Sequence, residues 1–82
     1  MYYVYILYSP GFDTYYIGQT NELEKRLKRH NSGYVKSTKP YRPWEMVYYE
    51  SFETRSAAMQ REHKLKSWKS KEKLRELVAA SR

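Results

Sequence analysis

The chain has 82 residues, with 16 Lys+Arg against 9 Asp+Glu and a formal charge of +7. It holds no cysteine, which excludes a disulfide scaffold and a cysteine-based zinc site, and two histidines alone argue against structural zinc. Its longest apolar run, Tyr2–Tyr8, is far too short to span a bilayer. The first residues lack the layout of a signal peptide, so the expected compartment is the cytoplasm, with no membrane partner. One domain over residues 1–82 is expected at this length. The basic balance favours polyanionic partners, because each neutralised phosphate releases condensed counterions.

Tyr2–Tyr8 is apolar and β-prone without alternation, the pattern of a strand covered on both faces. Ser9-Pro10-Gly11 breaks it, and Tyr15–Thr20 supplies a second strand, so the first twenty residues read as a hairpin. Gly18 sits inside that strand, where glycine marks a close backbone approach or a bulge. Asn21 and Glu24 resemble a capping box for a helix that Gly33 stops. Tyr34–Pro43 reads as an exposed basic loop. Trp44–Phe52 is a third strand, Thr54 or Ser56 caps a helix running to Trp68, and Lys71–Ala80 forms a last amphipathic helix. The order β-β-α-β-α-α predicts an α/β (α+β) fold, a small three-stranded sheet flanked by helices.

Several charged residues fall on apolar stripes. At about 100° per residue, Leu23, Arg26, Leu27 and His30 share one face of the first helix. The bland account is that Arg26 snorkels to water and His30 caps a carbonyl. On the second helix Ala58, Glu62 and Leu65 follow the same spacing, and an inward carboxylate needs a positive partner: Arg26, Arg61 or a divalent cation. A purely structural Glu62–Arg26 ion pair is the competing account. Tyr3, Tyr5 and Leu7 share one strand face, and Tyr16, Gly18 and Thr20 share a face of the next.

Tyrosine hydroxyls, an arginine, a histidine and a glutamate pointing inward suit phosphodiester hydrolysis. A carboxylate holds a hard divalent ion, arginine grips phosphate with a planar fork, and a phenol or imidazole takes a proton from water. One well-placed carboxylate implies one metal rather than two.

Tyr3-Val4-Tyr5 and Tyr16-Ile17-Gly18 resemble the paired tripeptides of the GIY-YIG nuclease superfamily. The second matches letter for letter, and the first keeps only its tyrosine, Tyr5. Arg26 and His30 look like the family's R-x-x-x-H helix, and Arg61-Glu62 is similar to its metal-binding glutamate. The resemblance covers residues 2–78 and is nearest to small stand-alone members related to the excinuclease C N-terminal domain. It implies a metal-dependent endonuclease acting on nucleic acid, with DNA as the expected polymer and repair or recombination as the expected setting.

In that reading Tyr5 is the general base or water-orienting phenol, with His30 its helper or rival. Tyr16 positions the scissile phosphate, Arg26 binds it, and Glu62 holds one Mg²⁺ or Mn²⁺, with no small-molecule cofactor. Two departures stand out: Gln19 replaces a lysine of several relatives, and the last helix lacks their asparagine. Gln19, Lys36, Lys39 and Arg42 are the candidate nucleic-acid contacts, and Tyr41 and Trp44 interleave with these cations as candidate stacking partners. Lys64, Lys66, Lys69, Lys71 and Lys73 form a second basic run that solubility alone would also explain. The alternatives to an endonuclease are a non-catalytic nucleic-acid-binding module and a structural domain built on a Glu62–Arg26 pair.

Overall fold

The structure is a computed structural model that describes residues 1–81. Strands β1 (Tyr2–Ser9), β2 (Thr14–Thr20) and β3 (Glu45–Phe52) form one antiparallel sheet in the order β2-β1-β3. Helix α1 (Leu23–Ser32) joins β2 to β3 through a loop holding a short 3₁₀ turn, Lys39–Tyr41, and α2 (Arg55–Ser67) and α3 (Lys71–Ala80) follow β3. This is the α+β order the sequence predicts.

The central position of β1 explains its unbroken apolar run. Val4 and Ile6 pack with Ile17, Ala58, Leu65, Leu74 and Val78 under α2 and α3. Tyr5 and Leu7, on the opposite face, pack with Trp44, Tyr16 and the α1 residues Leu23 and Leu27. All four β1 residues are fully buried. Burial of each aliphatic side chain is worth about 1.5–3 kcal/mol, so the two-sided strand anchors both layers.

Two expected boundaries are corrected. Asn21 does not cap α1: the N-cap is Glu22, without a side-chain cap bond, and the Thr20 hydroxyl accepts from the Glu22 N–H at 3.1 Å. The third strand starts at Glu45 rather than Trp44, because the Trp44 N–H is taken by Asn31 Oδ1 at 2.6 Å. The other caps follow their local chemistry. Gly33, at φ 88°, donates to the His30 carbonyl and Tyr34 to that of Arg29, a Schellman closure of α1. Thr54 accepts from Ala57 N–H and Ser70 from Lys73 N–H, starting α2 and α3. Lys69, at φ 49°, turns the chain between them.

Candidate active site

Gly18 lies opposite Tyr5 in the β1–β2 ladder, and the absence of a Cβ leaves room for the tyrosine tip. The Tyr5 side chain therefore leans across β2 toward α1. Its hydroxyl meets His30 Nε2 at 2.9 Å and receives the Arg26 Nε–H at 3.3 Å. Tyr16, on the same face, packs its ring 6.4 Å from that of Tyr5 and 4.9 Å from that of His30.

His30 is fully buried, and both ring nitrogens are partnered: Nδ1 lies 2.8 Å from Thr38 Oγ1. The Thr38 hydroxyl donates its one proton to the Val35 carbonyl at 3.2 Å, so at His30 it acts as acceptor. In this assignment Nδ1 carries the hydrogen, which leaves Nε2 an acceptor and makes Tyr5 the donor to it. The bonds run one way, from Arg26 to Tyr5 to His30 to Thr38 to the backbone. Half-buried Arg26 gives its Nε–H to Tyr5, and among the described residues His30 bonds two hydroxyls rather than a carbonyl.

The electrostatics hold both groups neutral. Burial, then the charges of Arg26 and Arg29, push His30 down to about 4, so the ring is neutral near pH 7. Burial pushes Tyr5 up to about 12 against the opposing pull of Arg26, which keeps the phenol protonated. The Glu62 charge is also felt at Tyr5 and raises it, which brings that carboxylate within electrostatic reach of the phenol. Arg26 is held charged above the ordinary arginine range, chiefly by its bond to Tyr5, with Tyr16 adding to the effect.

Glu62 finds its positive partner on its own helix. Lys66 Nζ lies 2.8 Å from Glu62 Oε2, whereas Arg61 pairs with Glu50 at 3.0 Å and Arg26 with Tyr5. The competing account, a structural Glu62–Arg26 pair, is therefore not formed among the described residues. Among the described residues no three His, Cys, Asp or Glu converge on a metal position. Glu62 is 18% exposed and its Oε2 is engaged by Lys66, so an ion there would displace that lysine, take one carboxylate and be completed by water and phosphate oxygens, as Mg²⁺ commonly is.

The outer candidates separate. Lys39 and Arg42 line one depression with Asn31, and Arg42 Nε–H donates to the Lys39 carbonyl. Lys36 is exposed on the same loop but outside that depression, and Gln19 shares the strand parity of Ile17, away from Tyr5. Trp44 is not available for base stacking: it is 4% exposed, and its indole N–H donates to the Thr38 carbonyl at 2.9 Å. Thr38 is the residue that sequence reasoning misses. Its only signal was a hydroxyl near the middle of a loop read as exposed.

A three-stranded antiparallel sheet with helices on both faces, carrying paired tyrosines against an Arg-x-x-x-His helix, defines a GIY-YIG-type architecture. The profile of the GIY-YIG catalytic domain matches residues 1–75, and the chain belongs to that nuclease family. It is 40% identical over 77 residues to a UPF0213 protein of Haloquadratum walsbyi, covering 93% of this chain and 84% of that protein. A UPF0213 protein of Bacillus pumilus is 49% identical over 59 residues, 71% of this chain, and the chain spans 60% of that relative's length. The solution NMR structure of a UPF0213 protein from Bacillus halodurans superposes with a TM-score of 0.60 at 33% identity, covering 98% of this chain and 85% of that one. The three relatives share a family name that assigns no activity.

Proposed function

We propose that the chain is an endonuclease that hydrolyses phosphodiester bonds of nucleic acid, with DNA as the polymer and repair or recombination as the setting. The observation that carries this reading is the one-way hydrogen-bond chain from Arg26 through Tyr5 to His30. A phenol near 12 is almost never ionised at neutral pH, so a standing phenolate is not the base. Instead the attacking water gives its proton to the Tyr5 oxygen while Tyr5 hands its own to His30 Nε2. The water oxygen–phosphorus bond forms, the bond to the leaving oxygen breaks, and His30 ends as an imidazolium that can return the proton.

Arg26 spends Nε on Tyr5 and keeps its two terminal nitrogens for the phosphate, whose negative charge raises the basicity of His30 as substrate arrives. Tyr16 positions the phosphate from the adjoining strand. Glu62 would hold one Mg²⁺ or Mn²⁺, which neutralises charge developing on the phosphorus oxygens. Lys39 and Arg42, with Lys36 beside them, offer backbone contacts. The test is incubation with labelled branched, nicked and single-stranded DNA plus Mg²⁺ or Mn²⁺. Cleavage by wild type and its loss in Glu62→Ala is expected; equal cleavage by both would falsify the reading.

A non-catalytic nucleic-acid-binding module is the second reading, favoured by the lack of asparagine in α3 and by Lys66 occupying Glu62. Salt-dependent binding without metal-dependent turnover would support it.

A further inference from the structure

The basic run of α2 and α3 divides in space. Lys66, Lys69 and Lys71 line one cleft of about 380 Å³, whose floor includes Tyr16, Ile17, Leu65 and Leu74. Lys64 lies outside this lining, and Lys73 lies over the Trp68 ring at 5.9 Å. The cleft follows the outer edge of β2, which among the described residues pairs with β1 alone. Tyr16 contributes to its lining while its ring packs with Tyr5 and His30 on the other face of the sheet, so cleft and site meet at the β2 edge. Lys66 is shared with Glu62, and Lys71 lies 3.5 Å from Asp13, while Lys69 makes no ion pair among the described residues.

We propose that this cleft holds the phosphate backbone of the nucleic-acid strand leaving the Tyr5–Arg26 site. The inference rests on the nuclease reading for its starting point and on charge and shape for its path. Lysines on the rim match phosphates, and the aromatic and aliphatic floor matches sugar and base faces. A solvated, purely solubilising run would have no reason to gather three of its five members on one cleft at the strand edge that carries Tyr16.

The experiment is metal-free binding of a short single-stranded oligothymidylate by the whole chain across a series of salt concentrations. The Lys69→Ala/Lys71→Ala variant is compared with Lys64→Ala/Lys73→Ala, which removes the same charge outside the cleft. The slope of log K against log salt should shrink by about 0.7 for each phosphate that the cleft variant no longer neutralises, and hold its wild-type value in the other. Equal slopes in the two variants would overturn the proposal, as would absence of binding or preference for an acidic peptide. Since no turnover is read, a cleft-dependent slope in a protein that never cleaves DNA supports the cleft while refuting the nuclease reading.

Discussion

The Tyr5 hydroxyl stands 2.5 Å from where a Cβ on Gly18 would lie, and Tyr5 Cζ stands at 2.6 Å. Gly18→Ala must therefore shift the buried ring tip, and with it the hydroxyl that bonds His30 and Arg26. Overpacking of this kind costs about 1–3 kcal/mol, and the displaced hydroxyl should lose most of the activity. Urea denaturation and cleavage rates check both, with Gly11→Ala as a neutral control because nothing lies within 4 Å of its added Cβ.

Thr38 fixes which nitrogen of His30 carries the hydrogen. Thr38→Val leaves the buried His30 Nδ1–H without its partner, at a cost of about 1–3 kcal/mol, while the Val35 carbonyl keeps the backbone N–H groups of Thr38 and Lys39. It should also lower kcat by about tenfold or more, since proton transfer to a positioned base is worth about 10²–10⁴. Thr38→Ser keeps the hydroxyl and should restore both. Nitrogen chemical shifts of His30 should show Nδ1–H in wild type and the serine variant and mixed tautomers in the valine variant.

His30 links pH to stability with a definite sign. Its folded value of about 4 lies below the unfolded 6.5, so the unfolded chain binds more protons between them. Stability should fall as pH drops from about 6.5 toward 4, by roughly 3 kcal/mol in total from this residue. Chemical denaturation at successive pH values, compared with His30→Gln, isolates the contribution. A variant with an unchanged pH slope would contradict it.

Much of this architecture was readable because it rests on periodicity. The unbroken run of Tyr2–Tyr8 marks a strand with two covered faces, and the helix-face position of Arg26 and His30 anticipates their inward contacts. Partners were harder, because they depend on tertiary distance. Glu62 asked for a cation, yet spacing alone did not favour Lys66, one turn along, over Arg26 across the fold. Asn21 fits a capping pattern that Thr20, already bonded to the Glu22 N–H, displaces. Thr38 looked like any hydroxyl of a polar loop until the chain folded it against His30.

Lys66 and a divalent ion compete for the same carboxylate. Lys66→Ala should tighten Mn²⁺ binding by about twofold, since an exposed i,i+4 pair is worth about 0.3–0.5 kcal/mol. Glu62→Gln should abolish it. Water-proton relaxation during Mn²⁺ titration reads both without substrate, and retention of the ion by Glu62→Gln would contradict the assignment.

The central claim is that the Tyr5 hydroxyl passes the proton from water to His30. Tyr5→Phe keeps the buried ring beside Gly18 and deletes only the oxygen that links Arg26 to His30. The direct measurement is single-turnover cleavage of labelled DNA with Mg²⁺ by wild type and Tyr5→Phe, each verified as folded. The account predicts cleavage by wild type and a loss of at least about 100-fold in the variant. Equal rates for the two proteins would contradict it.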